Sequence, residues 1–282
     1  MKPPSNPFSL YDLIGYLFTG FIFLYLINCF FIFGIIKFDS FTMFKGNGLA
    51  GSMEIKSFFY LVLSYLTGHV LSFLSSITIE RYNIFIYGYP SNYLIKKEDD
   101  KSGWSKYYLC SYSKPKKALR IVLFIFLFPL IICDLLLGKI LGMQFFFQRS
   151  YSDETIHLIE ENAKYIYEKE IKIDKTRPTP EKIPYLPLYH FLIEKSERHY
   201  TRTQNYVALY GVLRNSSFVA LIICWLMIFN LNEFLNDKWI LIFITILISF
   251  ICFLGYIKFF RNLTEEVYFG VISTKQNSNS HD

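Results

Sequence analysis

Charged residues are scarce in this chain, and cysteine, glycine and proline are few. Asp, Glu, Lys and Arg make up 18% of its 282 residues, whereas a soluble domain usually carries about 25%. A disordered chain would need more charge and fewer apolar residues, and a collagen-like chain would need far more than 14 glycines and 10 prolines. The five cysteines include no CxxC pair, which argues against a disulfide-rich secreted domain.

The motifs that mark common enzyme classes are missing as well. The sequence has no P-loop and no G-x-S-x-G nucleophile turn. A group of histidine and acidic residues at 190–199 lacks the H-E-x-x-H zinc pattern, and i,i+4 ion pairs on a solvated helix account for it. The sequence therefore predicts no catalytic residue, no metal site and no cofactor.

Apolar and aromatic side chains are abundant. Hydrophobic residues make up 52% of the chain and aromatic residues 20%, and the mean hydropathy is +0.29. Strand patterns are weak throughout, and in lipid a helix satisfies all its own backbone hydrogen bonds. We therefore expect an all-α, polytopic membrane protein.

Four apolar stretches are predicted to be transmembrane helices, because a helix needs about 20 apolar residues to cross the bilayer core. They are 10–36, 58–79, 218–231 (lengthened by the mildly polar 211–217) and 239–257. The first is too long for the core of a signal peptide and is expected to remain as an anchor. A fifth stretch, 121–141, is ambiguous because it contains Pro129, Asp134 and Lys139.

The distribution of basic residues decides between four and five spans, because lysine and arginine concentrate in cytoplasmic loops. If 121–141 does not cross, both termini and both long basic loops are cytoplasmic. Only four of the 29 basic residues then lie outside: Lys37, Lys45, Lys56 and Lys238. We therefore predict four spans in a bacterial inner membrane, N-in and C-in. The stretch 121–141 is then a re-entrant helix pair that returns at Pro129, or an interfacial one, and five spans is the alternative.

This topology divides the chain into six segments. They are a first transmembrane hairpin (1–79), a basic cytoplasmic loop (80–119), the re-entrant or interfacial segment (120–148), a cytoplasmic helical region (149–210), a second transmembrane hairpin (211–260) and a cytoplasmic tail (261–282). In the cytoplasmic region, apolar residues at steps of three and four after Ser152 predict an amphipathic helix: Ile156, Ile159, Ala163, Ile166 and Tyr167. A second helix, from about 188 to 202, is expected to run on into the third span.

The second span carries two patterns. Its small residues recur every four positions and form a small-residue stripe on which another helix could pack closely: Ser64, Gly68, Ser72 and Ser76. Beside the stripe runs a polar face with Tyr65, His69 and Glu80. An ionisable residue within a span marks a candidate functional site, so His69 is either the centre of a proton, ion or ligand path or a neutral packing residue.

Other charged residues have separate interpretations. Ser9 and Asp12 match a capping box at the start of the first span, and Asp12 could instead pair with a cation on another helix. Asp134 is a further candidate for a polar path. Glu80 with Arg81 is either a local ion pair or, as we favour, an anchor for the cytoplasmic domain. Arg214 is expected to extend to the interface, and Asn215, Ser216 and Ser217 beside it to supply hydrogen bonds between helices. A basic cluster is expected to contact anionic lipid: Lys106, Lys114, Lys116, Lys117 and Arg120.

Two short motifs carry a resemblance. The opening Tyr11-Asp12-x-x-Gly15-Tyr16-x-x-x-Gly20, and Glu80-Arg81 followed by Gly88-Tyr89-Pro90, resemble uncharacterised bacterial multi-pass inner-membrane proteins. Some of those proteins are suspected of roles in phage defence. The resemblance covers about the first third of the chain and implies no catalytic residue.

These patterns favour a non-enzymatic function. We expect spans that associate into a homo-oligomer through the small-residue stripe, and a cytoplasmic domain that senses or binds a protein partner. Altered membrane permeability is the expected output, and nucleic acid is not required, since lipid attraction and the positive-inside rule explain the basic balance. A small transporter or channel with a His69-centred path and a membrane-embedded enzyme are the alternatives.

Overall fold

The computed structural model describes residues 12–32, 53–96, 114–140, 142–143, 148–169, 185–229 and 238–279. The described residues are almost entirely helical and contain no strand, so the all-α prediction is confirmed. The helices are α1 (π-helical Asp12–Phe18 followed by Thr19–Ile32), α2 (Met53–Ser75 followed by π-helical Ser76–Glu80), α3 (Arg81–Tyr87), α4 (Pro90–Tyr93), α5 (Lys114–Cys133 followed by π-helical Asp134–Ile140), α6 (Asp153–Lys169), α7 (Tyr185–Lys195), α8 (Glu197–Phe229) and α9 (Lys238–Asn279).

The chain divides into two compact units. The first unit consists of Met1–Tyr82, Cys110–Gly142 and Ala208–Tyr256. The second unit consists of Asn83–Leu109, Met143–Val207 and Ile257–Asp282. The long helices α8 and α9 each contribute residues to both units.

Four of the described helices are long and apolar enough to cross a membrane. They are Ser57–Tyr93, Ile121–Gly138, Glu197–Phe229 and Trp239–Ser273. Three overlap predicted spans, whereas Ile121–Gly138 is the stretch that the prediction kept out of its four. The predicted first span, 10–36, extends outside the described residues, and within them it forms a shorter apolar helix, Gly15–Cys29. Since about 20 residues suffice to cross, the three longest helices also extend beyond a bilayer core.

Helix α5 continues through Pro129 instead of turning back there. A proline inside a helix removes one hydrogen bond and can bend the helix, but it does not force a reversal. The neighbouring Leu127, Leu130 and Ile131 are buried, and their packing keeps the segment helical. The version of the prediction in which the chain returns at Pro129 is therefore wrong. Of the predicted basic cluster, Lys114, Lys116, Lys117 and Arg120 lie in the first turns of α5, and Lys106 lies outside the described residues.

Contacts within the first unit fix the direction of its outer helices. Tyr16 stacks on His69 and Phe21 packs on Tyr60, so α1 and α2 run antiparallel. In the same way, α8 and α9 run antiparallel because Tyr210 packs on Tyr256 whereas Ser217 bonds to Ser249.

Helix α5 runs in the same direction as α2. In its last two turns, Asp134 accepts a hydrogen bond from Tyr82, which lies two residues after the π-helical end of α2. Earlier in α5, Phe126 packs on Phe218 and its carbonyl accepts from Trp225, in the second half of α8. Thus α1 and α8 run one way through the first unit, and α2, α5 and α9 run the other.

The second unit has a core of its own. Its buried residues form two clusters: Ala163, Ile166, Tyr167, Leu188, Phe191, Val267 and Val271, and Leu94, Ile95, Ile159 and Tyr268. The predicted amphipathic helix is α6, which begins one residue after Ser152. The Ser152 hydroxyl accepts a hydrogen bond from the Thr155 N–H at 3.4 Å, as an N-cap residue does.

The segment predicted as a cytoplasmic tail, 261–282, is helical as far as Asn279. Val267, Tyr268 and Val271 recur at helical spacing and are buried in the core of the second unit. Gly270 lies against the Leu192 side chain of α7, where a larger residue would clash. These contacts explain why the helix continues. The predicted helix from about 188 to 202 is interrupted at Ser196, which separates α7 from α8, whereas the expected continuation into the predicted third span is seen in the unbroken α8.

Candidate functional site

An arginine in the first unit is buried against three hydrogen-bond partners on α2. Arg214 is only 5% exposed. Its Nη1 donates to Glu80 Oε2. Its Nε donates to Ser75 Oγ at 3.1 Å, and its Nη2 donates to Ser72 Oγ at 3.0 Å. The planar guanidinium offers five donors in a rigid fork, which suits acceptors that lie in several directions.

Asn215 extends these contacts to the first helix. Its Nδ2 donates to the Gly15 carbonyl at 3.0 Å. Its Oδ1 lies 2.6 Å from Ser75 Oγ, which also lies 2.9 Å from the Ser72 carbonyl, so the single serine proton is donated to one of the two at a time. Helices α1, α2 and α8 therefore meet at one set of polar groups: Arg214, Glu80, Ser72, Ser75 and Asn215, here called the Arg214 cluster.

The expectation that Arg214 extends to the interface was wrong. Two small side chains on α2, Ser72 and Ser75, leave room for the guanidinium and supply acceptors. The Tyr210 ring lies one turn earlier on α8, with its centroid 5.9 Å from the guanidinium carbon, within the range of a cation–π contact. Protein groups inside the bundle thus provide the favourable contacts that water would otherwise provide to the guanidinium.

The charge of Arg214 is balanced by Glu80, which lies at the end of the π-helical segment of α2. The Glu80 side chain is 28% exposed, so one side of the pair is open to the surroundings. Removing one partner of a buried ion pair typically costs about 3–5 kcal/mol, because the other charge is left without compensation. Glu80 was predicted to anchor the cytoplasmic domain; in the structure it pairs with Arg214 inside the first unit.

The predicted polar face does not form one continuous path. His69 is exposed and stacks on Tyr16 with ring centroids 3.9 Å apart, and Tyr65 packs on its edge at 4.5 Å. These three rings form an aromatic contact between α1 and α2. Glu80 belongs instead to the Arg214 cluster.

The small-residue stripe is largely covered by other residues of the same chain. A Cβ at Gly68 would overlap the Tyr16 carbonyl, and one at Gly20 would overlap the Ser64 carbonyl. The backbones of α1 and α2 thus touch along the stripe. Ser72 belongs to the Arg214 cluster, and Ser76 donates to the carbonyl of Phe73 in its own helix.

Two predicted carboxylates lie elsewhere in the first unit. Asp134 is 1% exposed and accepts a hydrogen bond of 2.7 Å from the buried Tyr82 hydroxyl. Tyr82 in turn packs on Phe253 of α9. Asp12 lies in the first turn of the π-helical segment of α1 and is partly exposed. Its predicted capping partner, Ser9, lies outside the described residues.

Sequence reasoning missed the burial of Arg214 in the cluster, but its expectation of hydrogen bonds between helices is confirmed for Asn215 and Ser217. The signal was the run Arg214-Asn215-Ser216-Ser217, four polar residues inside an otherwise apolar helix. Ser217 uses the same polarity differently: its hydroxyl bonds to the Ser249 carbonyl at 2.9 Å, and the Ser249 hydroxyl bonds to the Ser217 carbonyl at 3.0 Å. This reciprocal pair ties α8 to α9.

In the part of the chain that the structure describes, no three histidine, cysteine or acidic residues are grouped as metal ligands. No protein family, curated protein or solved structure matched this chain. Function must therefore be inferred from the sequence and from the geometry described above.

Proposed function

We propose that the protein is an integral membrane protein in which a helical cytoplasmic domain controls the permeability of the membrane. In this proposal the first unit lies in the bilayer, and the second unit is the cytoplasmic domain that binds a protein partner. The chain acts as a homo-oligomer in a bacterial inner membrane. The resemblance to inner-membrane proteins suspected of phage defence supports a defence role with a permeability output.

The Arg214 cluster is the observation that carries the proposal. An arginine within a membrane bundle is costly, and such residues mark ion pathways, gates or sensors more often than simple packing. Buried ion pairs contribute little net stability compared with apolar residues of similar volume. A charged cluster that joins α1, α2 and α8 is therefore better explained as a device that holds these helices in one arrangement.

The same cluster provides a two-state element. With the pair between Arg214 and Glu80 formed, α2 is held against α8. With the pair broken, both charges need new partners, and water entering the bundle is the available one. Glu80 lies in a π-helical turn, and such turns occur frequently at functional sites. Because α8 is one uninterrupted helix from Glu197 to Phe229, a change at its start can be transmitted to Arg214.

The helix directions support four membrane crossings. Consecutive spans must alternate in direction, and α1, α2, α8 and α9 do alternate. Helix α5 runs in the same direction as α2, so it cannot by itself be a fifth crossing between α2 and α8. We therefore place α5 in the membrane as a helix that does not cross completely, with both termini of the chain in the cytoplasm.

Two earlier hypotheses receive no support from the geometry. The transporter alternative needed a polar path through His69, and that ring is packed between Tyr16 and Tyr65 on an exposed face. Oligomerisation through the small-residue stripe would need Gly68, whose surface is covered by α1 of the same chain. The proposed oligomer must therefore use another surface.

Membrane potential in cells tests the proposal. A voltage-sensitive dye would report depolarisation after induced expression of the wild type, Arg214→Gln and Glu80→Gln. We expect little depolarisation by the resting wild type and marked depolarisation by both single variants, because each breaks the pair that holds α2 against α8. Both variants must reach the membrane fraction in amounts similar to the wild type.

Two further variants keep the test decisive. The double exchange Glu80→Arg with Arg214→Glu restores opposite charges and is expected to reduce the leak toward the wild-type level. Lys96→Gln removes an exposed ion pair with Asp153 in the second unit and should leave the potential unchanged. If the single variants accumulate in the membrane and cause no more depolarisation than Lys96→Gln, the proposed permeability function is wrong.

A further inference from the structure

A serine, a histidine and a carboxylate lie side by side in the second unit, and each contacts the next. His199 on α8 and Glu266 on α9 are joined by a 2.8 Å contact between Nδ1 and Oε1. The other ring nitrogen, Nε2, lies 3.4 Å from the hydroxyl oxygen of Ser273, two turns further along α9. This is the order in which a nucleophile, a general base and an orienting carboxylate are arranged in acyl-transfer enzymes of unrelated folds.

We propose that Ser273, His199 and Glu266 form a site that hydrolyses carboxylic esters. Such an arrangement is recognised by geometry and not by sequence position, so the absence of a nucleophile motif does not argue against it. The three residues lie on two helices rather than on loops, which holds the ring and the carboxylate in fixed positions. The proposal goes beyond the permeability function and depends on residues outside the Arg214 cluster.

Each group has a defined role. Glu266 accepts from Nδ1–H, which fixes the tautomer and leaves Nε2 free to take a proton. Ser273 Oγ also lies 2.9 Å from the Gly270 carbonyl, and rotation of the hydroxyl moves its proton from that carbonyl to Nε2. A separation of 3.4 Å is longer than a good hydrogen bond, but contacts of this kind are often looser before substrate binds.

The reaction balances with water as the only co-substrate. Ser273 Oγ forms a bond to the ester carbonyl carbon while its proton moves to His199 Nε2. The carbon–oxygen bond to the leaving group then breaks, and the departing alkoxide takes that proton from the imidazolium. Water attacks the resulting acyl-serine and gives its proton to Nε2. The bond between Ser273 Oγ and the acyl carbon then breaks and Oγ takes the proton back from Nε2, so the products are one carboxylic acid and one alcohol.

Arg202 also contacts the Glu266 carboxylate and helps to balance its charge. Its Nη1 lies 3.4 Å from Glu266 Oε1, and its side chain is half exposed. Backbone donors are not available at Ser273, since its N–H lies inside an unbroken helix. Loss of one oxyanion donor typically costs about 100- to 1,000-fold in rate, so we expect slow turnover and a detectable covalent intermediate. The His199 and Glu266 side chains are 16% and 12% exposed and Ser273 is partly exposed, so all three groups are in contact with solvent.

Covalent labelling of the full-length protein in detergent tests the proposal. A fluorophosphonate probe should attach to Ser273, located by peptide mass spectrometry, and p-nitrophenyl butyrate should be hydrolysed slowly. Ser273→Ala should abolish labelling, and His199→Gln should slow it by about 100-fold or more, the contribution of a general base. Ser196→Ala, a partly buried serine just before α8, is the matched control and should label like the wild type.

Glu266 is a positioning residue, and its test needs a readout that simple destabilisation would not change. Glu266→Gln should slow labelling, and Glu266→Asp should recover part of the rate, while circular dichroism shows equal helix content. If folded wild-type protein leaves Ser273 unlabelled, or if Ser273→Ala labels as fast as the wild type, the hydrolytic site is wrong. In that event His199 and Glu266 serve only to tie α8 to α9.

Discussion

The position of Arg214 calls for arginine and not merely for a positive charge. Its acceptors lie in three directions: the Glu80 carboxylate and the hydroxyls of Ser75 and Ser72. A guanidinium reaches all three with fixed planar geometry and is more weakly hydrated than an ammonium. A lysine would place a strongly hydrated point charge at the same site, with three donors on one atom. Burying arginine in this bundle therefore costs less free energy than burying lysine.

Tyrosine ionisation gives a testable pH dependence at the residue scale. Burial in the core of the second unit raises the pKa of the Tyr167 phenol to about 12, whereas an unfolded chain ionises tyrosine near pH 10. The neutral form is therefore favoured by folding. Its contribution to stability is complete below about pH 10 and is lost as the pH rises toward 12. We expect Tyr167→Phe to move the midpoint of alkaline unfolding to higher pH.

Circular dichroism at 222 nm as a function of pH measures this midpoint, and absorbance near 295 nm follows tyrosine ionisation in parallel. Tyr89→Phe is the matched control, because Tyr89 belongs to the same unit but its ring is exposed. Identical alkaline midpoints for the wild type and Tyr167→Phe would show that Tyr167 does not contribute.

The burial of a residue could be predicted from the sequence only where it follows from the position of that residue on its own helix. The burial of Ile159, Ala163 and Ile166 follows from their spacing along one helix. The burial of Arg214 depends on which face of α2 meets α8, and that pairing involves residues about 140 positions apart. Local pattern carries no information about such pairing, so extension to the interface was the reasonable but wrong expectation.

At the scale of elements, the contact between α1 and α2 depends on glycine. At Gly68 any side chain would overlap the backbone of Tyr16, and backbone cannot move aside as a flexible side chain can. We expect Gly68→Ala to separate the two helices and to lower the free energy of unfolding by about 1–3 kcal/mol, the range typical of overpacking. Equilibrium unfolding in mixed micelles measures the change.

Gly255→Ala is the matched control for this prediction. A Cβ there would lie 3.0 Å from the end of the Leu213 side chain, which can shift by rotation. We expect a smaller loss for Gly255→Ala than for Gly68→Ala. The opposite order would mean that α1 and α2 are not in backbone contact in the folded protein.

Element bounds were predictable where one face is apolar and the other polar. Helix α6 has this pattern, and its predicted start at Ser152 agrees with the observed N-cap. In helix α9 the helical spacing of Val267, Tyr268 and Val271 was not recognised, and the segment after residue 260 was predicted as a tail. Its continuation depends on the core formed with α6 and α7, which is a tertiary contact. The turn expected at Pro129 was wrong for a similar reason, because tertiary packing on both sides of the proline keeps α5 helical.

At the scale of the whole molecule, helix direction limits the number of crossings. The chain leaves α2 in one direction and enters α8 in the other, so the residues between them cross the membrane an even number of times. If α5 crossed completely, the segment from 96 to 120 would have to contain a second crossing. Eleven residues of that segment are charged, and each costs about 2.5–3.5 kcal/mol at the centre of a span on insertion scales. The proposed topology therefore has zero crossings between α2 and α8.

This conclusion predicts which loops share a side of the membrane. In a variant without native cysteines, single cysteines at Ser102 and Ser152 should react with a membrane-impermeant maleimide from the same side, because α5 lies between them without crossing. A cysteine at Ser40 should react from the opposite side, since α1 and α2 alternate in direction. Labelling of intact and lysed cells separates the two sides. If Ser102→Cys and Ser152→Cys react from opposite sides, an odd number of crossings separates them, five spans is the correct topology, and α5 cannot run in the same direction as α2.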